Sequence, residues 1–227
     1  MKTTRPPSAC RSRTAGFSTA DVLAGLCLSL VAIGAIYAFG RAQSRALAAQ
    51  SAYNESQGVT RLVMDLIARE LRMTSFDPTD SAIPNSPGPS CTGVNRALIV
   101  ATPTKIRFQQ DLNGNGVIGA SGSEDVTYDV LGDKIRRQDG TSLPEDLVSG
   151  VTADGFVLQY YNGSSPPLEL VPSGSPPALT QAQRDCVAKV RVTVRAKITD
   201  TSHAGTYGLT SLAKSEVAIR NRSLANF

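Results

Sequence analysis

The sequence predicts an α+β protein: one long N-terminal helix, its first half transmembrane, packed on an antiparallel β-sheet domain. Three observations carry that prediction. Residues Val22 to Phe39 read "VLAGLCLSLVAIGAIYAF" without a single charge. Apolar residues then recur every fourth position as far as Leu71. After residue 96 the pattern shortens to the two-residue alternation of strands,.

A chain of 227 residues holds one good-sized domain with a tail, or two small ones,. An apolar content of 41% and a charged content of 19% fit a folded protein, although aromatic residues are sparse and Trp is absent. The formal charge of +4 is misleading because of where it lies. Lys2, Arg5, Arg11 and Arg13 all precede Gly16, with no acid among them. Without those four, the 23 basic residues fall to 19, against 19 acidic ones. A surplus confined to a leader makes no basic surface, so no nucleic-acid partner is expected.

The organisation expected is a leader at 1–16, a long helix at 17–73 with its membrane and assembly segment at 17–39, and a β-rich globular domain at 74–227. From Phe17 to Phe39 the low-polarity run has 23 residues, or about 35 Å at ~1.5 Å per residue. That exceeds a hydrocarbon core of about 30 Å. Arg41 and Arg45 end it. A secretory signal peptide would be cut after its apolar run, whereas here the small-residue junction comes before it. A plain anchor accounts for the length and for a basic leader on the cytoplasmic side. It does not account for Asp21, since an acid costs about 2.5–3.5 kcal/mol at mid-bilayer and less near the interface.

Cutting between Gly16 and Phe17 gives Asp21 a purpose. The cut frees an amine on Phe17 and leaves Asp21 in the first turn of a helix, where the dipole favours an anion. A staggered neighbouring subunit could offer its own amine to that carboxylate, and the two charges would neutralise each other in a low-dielectric bundle.

Past the span, Val59, Val63, Ile67 and Leu71 step by four, with Leu62 and Leu66 beside them,. Arg61, Asp65 and Arg69 step along another face. Gly58 weakens the helix without ending it, and Asp77-Pro78 closes it. Residues 74–96 form a Pro-, Ser- and Asp-rich connector. Strands are expected in "ALIVA", "KIRFQQ", "DVTYDVL", "DKIRRQ", "GFVLQYY", "AKVRVTVRAKI" and "KSEVAIRNR",. Ser-Pro-Pro at 165–167 and again at 175–177 bounds a loop, and a short helix fits Thr180 to Asp185.

The stretch "DLNGNGVIGASGSED", 111–125, holds the chemistry. Asp111, Asn113 and Asn115 occupy positions 1, 3 and 5 of an EF-hand-like loop. Gly116 is at the turn position, and Val117 offers a carbonyl. Position 12 is Gly122 rather than the bidentate Glu, so Glu124 or Asp125 would have to reach in. Two acids would bind Ca2+ weakly. The other reading is a hairpin turn, since Asn-Gly makes such turns without a metal. Both stand at this point.

Cys10 lies in the leader and Cys27 in the span, leaving Cys91 and Cys186 in the exported region. An oxidising compartment favours pairing them. Closing a ring of about 95 residues is worth at most roughly 4–5 kcal/mol; two free buried thiols are the alternative. No catalysis is expected. His203 is the only histidine, in the turn-like "DTSHAGTYG", and no nucleophile elbow, phosphate loop or metalloprotease motif occurs,. Glu124-Asp125 and Glu145-Asp146 are adjacent pairs whose side chains diverge on a strand.

The basic leader, Gly16, Phe17, Asp21 and the apolar span together resemble the N-terminal signal of type IV pilins and type II secretion pseudopilins. That family usually has Glu where Asp21 stands. The ordered blocks "LVMDLIARELRMTSFDP", "KIRFQQDLNGNG", "DVTYDVLGDKIRR", "FVLQYYNG" and "SEVAIRNR" are similar to minor pilins of the PilW and PulJ type over most of the chain. The resemblance implies a pilin-like fold, cleavage by a prepilin peptidase after Gly16 and methylation of Phe17. It also implies single-pass insertion in the inner membrane with the leader cytoplasmic and the globular domain periplasmic. From there the subunit would meet an inner-membrane assembly platform and other pilins or pseudopilins, and help start a pilus or pseudopilus near its tip. The reading from a different class is a membrane-anchored periplasmic binding module that never polymerises.

Overall fold

The computed structural model describes residue 16 and residues 18–78, 97–119, 122–198 and 209–219. Helix α1 spans Thr19–Met73. The chain divides into two compact units, one through Ala48 and the other from Ala49 onward.

In the second unit α1 buries Thr60, Val63, Met64, Ile67, Ala68 and Leu71. This is the stripe of a helix lying on a core, with spacings of three and four. It differs from the stripe expected. Val59 and Leu62 are 38% and 70% exposed. The cause is helical pitch: a strict four-residue step drifts by about 40° each time, so Val59 has rotated out of the face that Ile67 and Leu71 define. Thr60 and Ala68 replace it because small side chains let the sheet approach. α1 ends before Pro78, where Thr74 N donates to Leu71 O at 3.3 Å and Phe76 N to Met73 O at 2.9 Å. Ser75 takes a left-handed φ of 67° there.

Two antiparallel sheets follow, where the sequence suggested one. The first is a five-stranded meander in chain order: β1 (Leu98–Ala101), β2 (Ile106–Gln109), β3 (Asp125–Leu131), β4 (Lys134–Asp139) and β5 (Glu145–Val148). The second is formed by β6 (Val151–Asn162), β7 (Glu169–Leu170), β8 (Val187–Ile198) and β9 (Leu209–Ala218), ordered β7-β6-β8-β9. The chain leaves the first sheet at Gly150, whose φ of 75° needs a glycine,. α2 (Gln181–Asp185) sits between β7 and β8 and opens on a capping box between Thr180 and Gln183,.

Every segment expected to be a strand contains one, and β5 and β7 are additions. β5, "EDLV", has no apolar alternation to give it away. It pairs with β4 in register, Arg137 opposite Glu145 and Arg136 opposite Asp146, and one ion pair links the strands, Lys134 Nζ to Asp146,. β8 shows the alternation best. Val190, Val192, Val194 and Ala196 are buried, while Arg195 and Lys197 face out.

One core joins the helix face to both sheets, with Ile67, Leu71, Phe108, Tyr128, Ile135, Phe156, Tyr160 and Val192 among its members. Phe108 and Tyr128 stack with ring centroids 6.3 Å apart. β6 and β8 slip register between Val151 and Phe156, and Gly155 makes the slip feasible. A Cβ at that position would lie 2.4 Å from Arg195 O and 2.7 Å from Thr152 N, both backbone atoms. Gly155→Ala is therefore expected to cost about 1–3 kcal/mol, read as a lower urea midpoint at unchanged slope.

Candidate functional site

The first unit is a helix start followed by an apolar rod. Ser18 caps α1: its Oγ accepts from Ala20 N at 3.2 Å, and its carbonyl from Asp21 N at 3.0 Å and Val22 N at 3.2 Å. In return Ser18 N donates to Asp21 Oδ2 at 3.2 Å. The arrangement is a variant of the capping box, with Asp21 three residues past the cap. Sequence reasoning gave Asp21 the helix dipole and missed this contact, although the Ser-x-x-Asp spacing signals it. Gly16 is exposed, with no atom near the position a Cβ would take. Phe17, the other half of the expected junction, lies outside the described residues.

Beyond the cap, an 18-residue window of α1 has mean hydropathy 2.3 and none of it is buried. Leu28, Val31 and Ile36 are each 70–72% exposed. Arg41 ends the run with its guanidinium 5.7 Å from the Tyr37 ring, a pairing typical of the membrane–water boundary. The polar groups within the run are satisfied internally: Ser29 Oγ donates to Leu26 O at 2.8 Å. Such a helix is long and apolar enough to cross a membrane.

In the second unit, the loop between β2 and β3 is built around two carboxylates. Asp111 is 0% exposed and Glu124 1%. Gly114 N and Gly116 N donate to Asp111 Oδ1 and Oδ2 at 2.8 and 2.9 Å. Asn113 N and Gly119 N donate to Glu124 Oε1 and Oε2 at 3.3 and 2.7 Å. Asn113 Oδ1 accepts from Asn115 N at 2.9 Å, and Asn115 Oδ1 from Val117 N at 2.8 Å. Gly114 and Gly116 take φ of 69° and 76°, which lets successive N–H groups turn inward.

The structure thus brings Asp111, Asn113, Asn115, Val117 and Glu124 onto one loop, and it separates Asp125 from them. Asp125 is bound by Arg107, with Nε at 2.8 Å and Nη2 at 2.7 Å, and by Gln109 Nε2 at 3.1 Å. Burial pushes the Asp125 carboxyl up, but the Arg107 and Gln109 contacts outweigh it and hold the group below the usual aspartate range. The stabilisation it gives is therefore present above that range and lost as the pH falls through it. Residues 124 and 125 diverge because consecutive side chains at a strand start point to opposite sides. Among the described residues, no group of three His, Cys, Asp or Glu side chains is placed to hold a metal, so any cation here would rely on amide and carbonyl oxygens as well.

A polar network ties the helix to the first sheet beside this loop. Glu70 accepts from Arg137 Nη2 at 2.9 Å, from Arg137 Nε at 3.1 Å and from the Tyr128 hydroxyl. Arg137 Nη2 also reaches Ser123 Oγ at 2.9 Å, and Ser123 N donates to Asp139 Oδ2 at 2.9 Å. Ser123 holds a left-handed φ of 62°. Sequence reasoning missed this network, since nothing in the chain links position 70 to 128 and 137.

Cys186 caps the C-terminal end of α2 and is half-buried. Cys91 and His203 lie outside the described residues. A shallow groove of about 430 Å³ runs between the second half of α1 and β9, lined by Thr60, Arg61, Asp65, Ser211 and Lys214 among others. Ser211 Oγ sits 2.8 Å from Thr60 Oγ1 and accepts from Ser56 Oγ at 3.1 Å.

The class of protein these features define is an α+β domain continuous with a long helix whose first half is apolar and uncovered. No family model matches the sequence, and no curated protein matches it. Among solved structures, a type IV-like pilin from Thermus thermophilus is similar at 16% identity and a TM-score of 0.39, over 72% of this chain and 96% of that one.

Proposed function

We propose that the protein is a minor pilin or pseudopilin. It inserts in the inner membrane through α1, is cleaved after Gly16 by a prepilin peptidase, and helps start assembly of a type IV pilus or type II secretion pseudopilus near the tip. The observation that carries this reading is the uncovered apolar run of α1 with one acid, Asp21, in its first turn. A helix like that needs lipid or other helices around it, and a carboxylate at its end needs a positive partner. The Phe17 amine of a neighbouring subunit supplies one. Partners are accordingly other pilins or pseudopilins, and the globular domain lies in the periplasm before export into the filament. In that oxidising compartment Cys91 pairs with Cys186.

Mass spectrometry of the unreduced protein from membranes tests the reading. The expected mass is that of a chain beginning at methylated Phe17 and lacking the two hydrogens of a Cys91–Cys186 bond. An intact Met1, or a cut after the apolar run, would favour the anchored binding module instead.

A further inference from the structure

We propose that the β2–β3 loop is a calcium site, with Asp111, Asn113, Asn115, Glu124 and the Val117 carbonyl as its oxygen ligands, and that the bound ion fastens the loop to the end of α1. The inference is independent of the filament reading.

Spacing alone leaves a hairpin turn equally open; burial and charge separate the two. Asp111 and Glu124 are both removed from water, yet neither forms an ion pair among the described residues. Among the described residues, their donors are the neutral backbone N–H groups of Gly114, Gly116, Asn113 and Gly119. Two carboxylates buried in one loop without a counter-charge are costly unless a cation joins them. A second, independent sign sits beside them. Gln110, 1% exposed, spends its Nε2 on Ser123 O at 2.6 Å, and its Oε1 has no hydrogen-bond donor among the described residues. Gln110 N bonds Glu124 O at 2.9 Å, so this orphan acceptor belongs to the base of the same loop. Two buried anions and one orphan acceptor thus share this loop with no cation among the described residues, which suits an electron-pair acceptor better than a plain turn.

The donor chemistry selects the ion. All ligands are hard oxygens from carboxylate, amide and carbonyl groups, the set for calcium rather than zinc or copper. Asn113, Asn115 and Val117 are exposed while Asp111 and Glu124 are buried, so one side of the loop faces solvent, from which an ion would enter and waters would complete its shell. The Asx contacts Asn115 N to Asn113 Oδ1 and Val117 N to Asn115 Oδ1 fix those oxygens before the ion arrives,.

The coupling to α1 is direct. Asp111 N donates to Phe76 O at 2.6 Å, and Ser75 N donates to Gln109 O at 3.1 Å. Ordering Asp111 therefore orders the residues that terminate the helix. Glu124 follows Ser123, whose Oγ receives Arg137 from the Glu70 network.

The test uses the full chain in detergent, stripped with EDTA and dialysed. Equilibrium dialysis with calcium is expected to give one site per chain with Kd of about 10⁻⁴–10⁻³ M. At about ten times Kd, the thermal midpoint should rise by roughly 3–6 °C, and EDTA should reverse the rise. Hydrogen exchange at Ser75 and Asp111 should slow in step. Glu124→Gln is expected to weaken binding at least tenfold. Because a buried substitution can disturb folding, Asn115→Ala at the exposed mouth is the companion variant, expected to weaken binding severalfold with the EDTA-state midpoint unchanged. No binding to the wild-type chain at 10 mM calcium overturns the proposal. So does binding that Asn115→Ala and Glu124→Gln both leave intact.

Discussion

Glu70→Ala is expected to lower the unfolding free energy by about 2–4 kcal/mol. Removing one partner of a buried pair costs about 3–5 kcal/mol because the other charge is left uncompensated; some relief comes from the 14% and 16% side-chain exposure of Glu70 and Arg137,. Arg137 would keep only a distant contact, 3.9 Å from Nη1 to Asp139 Oδ2, together with the Ser123 hydroxyl. Tyr128 would lose its acceptor while its ring stayed fully buried. Urea denaturation of wild type and variant gives the difference, and Glu70→Gln separates charge from shape: it keeps an acceptor for Tyr128 and should recover part of the loss. An effect under ~1 kcal/mol for Glu70→Ala would mean the network contributes little to holding the helix.

The same network predicts alkaline sensitivity. Burial first, and the Glu70 carboxylate second, push the Tyr128 phenol well above its ordinary range. Above about pH 10 the unfolded chain releases this proton and the folded chain keeps it. The unfolded state then binds fewer protons, so stability falls as pH rises.

How much of this was legible in the chain depends on the range of the interaction. The apolar run, the helix, the seven strands expected from alternation and the Thr180 helix are local patterns, and each was readable from composition or period. The helix face was readable only in part. A four-residue step resembles a stripe on paper, yet the 3.6-residue turn carries Val59 and Leu62 out of it. The spacing of Asp111, Asn113 and Asn115 in the β2–β3 loop was local, and the placing of Glu124 rather than Asp125 on that loop was not. It depends on Arg107, eighteen positions before Asp125, which claims that carboxylate. The Glu70, Tyr128 and Arg137 network depends on which strands meet the helix, and period does not encode that. Ser18 as a cap was within reach, because Ser-x-x-Asp before an apolar run is a helix-start pattern.

The Ser18 contact also sharpens what replacing Asp21 should do. In the filament reading, Asp21→Ala is expected to cut incorporation ten- to a hundredfold, because an unpaired amine is left at the edge of a low-dielectric bundle. Capping offers a competing explanation: Asp21 Oδ2 holds Ser18 N, and the loss of a cap costs about 1 kcal/mol on its own. The two causes separate through Ser18. Ser18→Ala removes the Oγ that accepts from Ala20 N and leaves the carboxylate in place. A carboxylate has room for about four hydrogen-bond donors, so the cap and a neighbour's amine can be held together. If docking dominates, Ser18→Ala incorporates within about threefold of wild type, Asp21→Glu restores assembly, and Asp21→Asn stays defective, since it accepts hydrogen bonds but carries no charge. If capping dominates, Ser18→Ala and Asp21→Ala fall together and Asp21→Asn recovers, because an amide oxygen at 21 can still accept from Ser18 N. The measurement is the ratio of sheared filament to total cellular protein by immunoblot, with the membrane level of each variant as the check that insertion is intact.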